Sequence, residues 1–159
     1  MSITVKLIEK IHDKEVETMT QWMYEWWGQK QNNSYECIKS YMIHSIHKDQ
    51  FPYTFGLYLD DLLIGMYQFR LEDLFTRPDL YPWLANVYIS PQYRHQGYGH
   101  ILMNSIKINM QTYLSSSTLY LYTTHCHLYE KYGWTYVCNI DTFLDNDRIQ
   151  RLYQFNINK

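Results

Sequence analysis

Gly97 and Gly99 are two of only 6 glycines in the chain, and both fall in Arg94-His95-Gln96-Gly97-Tyr98-Gly99-His100. The strand-like run Val87-Tyr88-Ile89 and then Ser90-Pro91 lead into this stretch, and an amphipathic helical pattern leaves it. The first amides of a helix have no acceptor within it, and the helix dipole is positive at that end. Such a start favours an anion, and glycine lets a diphosphate approach the backbone closely. Arg94 adds a positive charge at the rim. A dinucleotide fingerprint would need Gly or Ala where Leu102 stands, and no Gly-Lys-Ser/Thr run suits a Walker loop. What remains is Arg-x-x-Gly-x-Gly after a strand and Ser-Pro.

Other residue types also suggest chemistry. His125-Cys126-His127, with His44 and His47, invite a metal reading. Adjacent residues rarely chelate one ion well, and no CxxC or HExxH spacing occurs, so no metal is expected. Cys126 has histidine neighbours but no recognisable orienting pattern for a nucleophile. The 3 cysteines, Cys37, Cys126 and Cys138, are odd in number, which suits free thiols in a reducing compartment.

The glycine stretch has a downstream companion, Leu128-Tyr129-Glu130-Lys131-Tyr132-Gly133-Trp134. The two blocks together resemble the GNAT superfamily of N-acetyltransferases, whose second block usually reads Leu/Phe-Tyr-Glu-Lys-x-Gly-Phe. The resemblance implies acetyl-CoA as co-substrate. It implies acetyl transfer to a primary amine of a small molecule or peptide, by direct attack in a ternary complex. Under it, the backbone of Val87, Tyr88 and Ile89 holds the pantetheine and thioester. Arg94, His95, Gln96, Gly97, Tyr98, Gly99 and His100 meet the pyrophosphate. Tyr129 becomes the general acid toward the departing thiolate.

Many members place an Asn before the catalytic Tyr, to contact the pantetheine. Here Leu121–His127 contains none, and Thr124 or His125 would have to take its place. The acceptor must lose a proton before it attacks, because an alkylamine holds one until about pH 10. The base stays open among Glu25, Glu72, Asp73 and a relayed water. Trp26-Trp27-Gly28 lie where this family often builds an acceptor pocket, although packing is the commoner use of a helix-borne Trp. An alternative from another class is a CoA-binding regulatory or interaction module without turnover. It would keep the glycine turn but have no need of Tyr129.

These residues need a scaffold. The 159 residues suit one domain, 1–159, and 46% hydrophobic content supplies a core. A formal net charge of −2 argues against nucleic acid as a partner. The first ten residues do not read as a signal peptide, and no run approaches the roughly 18 apolar residues of a membrane span. A cytoplasmic protein is expected, and a homodimer paired through the terminal strands is compatible with the fold.

The patterning predicts β-α-α-β-β-β-α-β-α-β-β, an α/β (α+β) fold with a mixed sheet, which is the GNAT-like acyl-CoA N-acyltransferase order. Strands are predicted at Ile3–Ile8, Tyr53–Leu59, Leu62–Leu71, Trp83–Ser90, Thr118–Thr123, Trp134–Asp141 and Arg148–Ile157. Gly28 is expected to close the first helix, and Asn33 or Ser34 to cap the second. A helix from Tyr98 to Tyr113 follows from Leu102, Ile106 and Met110 at i, i+4 and i+8. Asp60-Asp61 and Asp145-Asn146-Asp147 are expected to be turns.

Overall fold

A computed structural model describes residues 1–142 and 149–157. Its elements are β1 (Ile3–Leu7), α1 (Asp13–Met23), α2 (Tyr35–Ile43), β2 (Tyr53–Leu59), β3 (Leu62–Arg70), β4 (Trp83–Ile89), α3 (Tyr98–Tyr113), β5 (Thr118–Thr123), β6 (Thr135–Ile140) and β7 (Gln150–Asn156). Hydrogen-bonded neighbours in the 7-stranded mixed sheet run β1-β2-β3-β4-β5-β7-β6. The chain divides into two compact units, Met1–Phe69 with Asn86–Leu102, and Arg70–Ala85 with Met103–Lys159.

In the first unit, Val16, Met19 and Met23 fall on one face of α1 and are buried. Asp13 and Glu15 sit in its first turn, where the dipole favours negative charge. The helix does not end at Gly28. It passes into a π-helical turn, Tyr24–Gly28, then a 3-10 turn, Gln29–Gln31, and is closed by left-handed Asn32 at φ 59°. Gly28 serves a close approach instead, since a Cβ there would lie 3.0 Å from Ile38 Cγ1. Ser34 caps α2, its Oγ accepting from the Cys37 amide at 3.1 Å. The core of this unit joins α1 and α2 to Tyr58, Leu63, Met66 and Tyr88.

β2 and β3 form a hairpin, Leu59 facing Leu62 across Asp60-Asp61, as the sequence leads one to expect. Asp60 is left-handed at φ 53°, and its Oδ1 accepts from the Ser2 amide at 2.9 Å. Leu57 pairs with Gly65 but Tyr58 with Leu63, so Ile64 is an extra residue and β3 carries a bulge.

In the second unit, β7 lies between β5 and β6, antiparallel to both. Trp83, Leu74 and Leu152 form its core with Leu80, Tyr120 and Tyr122 against them. Trp83 Nε1 donates to the Leu80 carbonyl at 2.7 Å. Ile149, Tyr153, Phe155 and Ile157 share one parity, a pattern that would make the last strand one-sided. Tyr153 and Ile157 are buried, but so is Leu152 on the other parity, while Ile149 is exposed, so both faces of β7 are packed at its middle. The last helix of the predicted order, between the strands at Thr118–Thr123 and Trp134–Asp141, is a 3-10 turn, Tyr129–Tyr132, stopped by Gly133 at φ 89°. The turn expected at Asp145-Asn146-Asp147, and Arg148, lie outside the described residues. α3 has the predicted bounds, with Leu102, Ile106 and Met110 all buried.

Candidate active site

The residues assigned to the co-substrate by resemblance, Val87–Ile89 and Arg94–His100, all lie in the first unit. The Tyr88 ring is buried between Trp22 and Trp26, at centroid distances of 5.3 and 5.4 Å. Arg94 folds back on the strand. Its Nε donates to the Ile89 carbonyl at 2.7 Å, and its guanidinium lies 5.0 Å from the Tyr88 ring centroid. In this arrangement it fixes the end of β4, and its charge stands beside the turn.

A 3-10 turn, Pro91–Tyr93, follows β4. His95 and Gly97 then take positive φ, 61° and 87°. Left-handed residues alternating with ordinary ones turn successive amides toward one side, which makes a concave anion cradle. A Cβ on Gly97 would meet nothing within 4 Å, so the space above the turn is open. The first turn of α3 contains no acidic residue. Gln96 Nε2 donates to the Gln92 carbonyl at 3.0 Å, and Tyr98 packs edge-on against Tyr93. Gly99 and His100 begin α3 with Tyr98.

Tyr129 lies in the second unit, at the start of its 3-10 turn. The side chain is buried, with Trp134 and Tyr153 rings at 6.1 and 5.9 Å. Burial first, and then the neighbouring Tyr153 hydroxyl, push its pKa up to about 12. Its hydroxyl is therefore protonated at every physiological pH and can donate.

The three base candidates differ in surroundings. Glu25 accepts from Gln21 Nε2 at 2.6 Å on the first helix. Glu72, Asp73, Arg70 and Phe75 line an open hollow of about 220 Å³ in the second unit. Asp73 pairs with Arg70 Nη1 at 2.9 Å, and its side chain is only 14% exposed. Burial pushes its pKa up to about 6, with the Arg70 charge and hydrogen bond acting in the opposite direction.

That shift has a stability consequence. Between about pH 4 and 6 the folded protein keeps a proton on Asp73 that the unfolded chain has released, so stability falls as pH rises. The loss across this window is expected to be on the order of 1–2 kcal/mol. Thermal melts of wild type and Asp73→Asn from pH 4 to 7 would check it. The difference in Tm between them should shift in favour of the Asn variant as pH rises, and a constant difference would exclude the effect.

Trp27 does more than pack. Its indole Nε1 donates to Asn86 Oδ1 at 3.1 Å, and Asn86 Nδ2 donates to Gln68 Oε1 at 2.8 Å. Asn86 was not among the residues suggested by sequence. The available signal was an Asn inside the apolar run Trp83–Ile89, since strands are poor in Asn and Asn tolerates a left-handed backbone. Its φ is 54°. Among the described residues, no group of three His, Cys, Asp or Glu side chains could hold a metal ion. No described helix is long and apolar enough to cross a membrane.

The sequence model of the Acetyltransferase (GNAT) domain family matches residues 52–136, more than half of the chain. The chain belongs to the GNAT acetyltransferase family. No curated protein matches it significantly in sequence. Among solved structures, it is similar to an acyl-CoA N-acyltransferase from Pseudomonas aeruginosa, at 20% identity and TM-score 0.64, covering 97% of this chain and 98% of that one. It is similar to an aminoglycoside 6'-N-acetyltransferase complexed with coenzyme A, at 11% identity and TM-score 0.76, covering 98% of each. It is similar to Escherichia coli ElaA, at 15% identity and TM-score 0.69, covering 98% and 100%. At these identities the likenesses establish the fold.

Proposed function

We propose that residues 1–159 form one N-acetyltransferase domain, which passes the acetyl group of acetyl-CoA to a primary amine of a small molecule or peptide. The observation that carries this reading is the turn His95–Gly97, with its positive φ angles at the start of α3. It offers backbone amides to a diphosphate with open space above it. The fold shared with an acetyltransferase solved with coenzyme A supports it.

In this reading the backbone of Val87, Tyr88 and Ile89 holds the pantetheine arm, and amides of the strand stabilise the oxyanion. The amine nitrogen attacks the thioester carbonyl in a ternary complex, a C–N bond forms and the C–S bond breaks. The amine proton leaves to a base or water, and the sulfur is stabilised by the Tyr129 hydroxyl. His95, Gln96, Gly97, Tyr98, Gly99 and His100 contribute amides to the pyrophosphate, and Arg94 its charge. Cys37, Cys126 and Cys138 are free thiols, which suits a reducing, cytoplasmic setting.

The test is thiol release from acetyl-CoA against a panel of primary amines. Acetyl-CoA binding with no release on any acceptor would favour a non-catalytic module. Gly97→Ala adds a binding test. A non-Gly residue in the left-handed region costs roughly 1 kcal/mol, and the added methyl enters the space above the turn. Calorimetric titration should show CoA affinity about tenfold weaker, and unchanged affinity would remove Gly97 from the pyrophosphate site.

A further inference from the structure

We propose that Asn86 is a positioning residue for acyl transfer, setting the aim of the β4 amides that follow it, with Trp27 and Gln68 holding that aim. The inference rests on the acetyltransferase reading for its catalytic consequence. Its structural basis stands apart from that reading.

In a flat strand successive N–H groups point to alternate sides. A left-handed residue interrupts that alternation, and the amides after it are redirected. Asn86 is such a residue, at φ 54°, and it immediately precedes Val87–Ile89. Glycine would satisfy the backbone requirement more simply. The asparagine side chain adds anchoring. Trp27 Nε1 can only donate, so the atom it meets at 3.1 Å must be Asn86 Oδ1. That fixes the amide orientation and turns Nδ2 toward Gln68 Oε1 at 2.8 Å and the Tyr41 hydroxyl at 3.2 Å.

The partners are themselves tied. The Tyr41 hydroxyl donates to Gln68 Oε1 at 2.7 Å. Gln68 Nε2 donates to Thr54 Oγ1 at 3.0 Å, and Thr54 Oγ1 to the Ser45 carbonyl at 2.6 Å. Gln68 and Thr54 are fully buried. A satisfied buried network of this kind is rigid and selects one geometry. Trp27 in turn belongs to the π-helical turn Tyr24–Gly28, a rare form that recurs at functional sites. One hydrogen bond thus joins two unusual pieces of backbone, the π turn and the left-handed strand residue. A core built for packing alone would need neither. A supporting side chain that holds reacting groups in place can be worth up to about 100-fold in rate without touching substrate.

The experiment compares Asn86→Gly, which keeps the left-handed backbone and removes the anchoring side chain, with Trp27→Phe, which keeps a ring and removes the N–H. In Asn86→Gly, kcat is expected to fall about 10- to 100-fold, with KM for acetyl-CoA changed less than about twofold. Trp27→Phe should fall about fivefold, and the double variant should be no worse than Asn86→Gly, because the same bond is already lost. Hydrogen exchange at the Val87–Ile89 amides, measured without substrate, should quicken at least about fivefold in both variants. If Asn86→Gly fails to fold, Trp27→Phe carries both measurements. Unchanged exchange overturns the proposal, and so does unchanged kcat in an active variant. A wild type with no turnover on any amine overturns the acetyltransferase reading instead, and the exchange data then decide the positioning of the strand.

Discussion

Tyr129→Phe is expected to lower kcat about 100-fold while leaving the affinity for CoA within about twofold. The size follows from acid strengths. A buried tyrosine with its pKa pushed up to about 12 is a far weaker acid than a thiol near 8.5. Full proton transfer to the departing thiolate is therefore uphill, and solvent supplies the final proton. In the proposed reaction Tyr129 supplies a hydrogen bond that strengthens as negative charge grows on sulfur. Loss of one such transition-state donor costs about 10²–10³ in rate. The substitution removes one oxygen and keeps the ring against Trp134 and Tyr153, so packing survives. Because the hydroxyl is protonated throughout, Tyr129 should add no step to the pH–rate profile between pH 6 and about 10. Steady-state kinetics with a CoA titration check both halves. Equal kcat in the two proteins would mean that the thiolate leaves without Tyr129.

The helices and strands were legible wherever one period ran unbroken. α3 is the plain case, since Leu102, Ile106 and Met110 repeat every four residues and a Gly-rich turn marks its start. The β2–β3 hairpin was legible from Asp60-Asp61 between two apolar runs. Features that depend on tertiary partners were not. Gly28 reads as a helix stop, yet it is there to let Ile38 approach, and the helix runs on through a π turn. The last strand reads as one-sided, but Leu152 and Tyr153, adjacent and on opposite faces, are both buried. In the site, the glycine turn was visible because its chemistry is local: a strand, a turn and a helix start lie next to one another in sequence. The Asn86 anchor was not, because Trp27, Tyr41, Gln68 and Asn86 are far apart in sequence and none belongs to a motif. Arg94 was read by its charge. Its bond to the Ile89 carbonyl depends on how the chain turns back after Pro91.

Gly65→Val is expected to destabilise the protein by about 3 kcal/mol, against the direction that strand propensity gives. Valine is among the best strand formers and glycine among the worst, so propensity alone would predict a gain of up to about 1 kcal/mol. The local geometry opposes it. A Cβ at Gly65 would lie 2.8 Å from the Tyr88 carbonyl oxygen, with Ile89 Cγ1 and Leu57 Cδ2 both at 3.4 Å. The oxygen belongs to the backbone and cannot rotate away, so β4 itself must move. Overpacking of this kind costs typically 1–3 kcal/mol, and the two further methyls of valine add to it at already close neighbours. For a chain of this size a loss of 3 kcal/mol lowers Tm by roughly 6–12 °C. The displaced group is the carbonyl of Tyr88, on the strand assigned to the pantetheine, so CoA affinity should fall about tenfold along with stability. Gly99→Ala provides the contrast. A Cβ there would sit at an ordinary 3.8 Å from Ile89 Cδ1, and alanine in place of glycine in a helix should hold or raise Tm. Thermal melts of both variants, with a CoA titration of Gly65→Val, separate the two cases. A Gly65→Val protein that melts at or above the wild-type temperature would show that β4 yields at no cost, and that its position is not held by the close approach of Gly65.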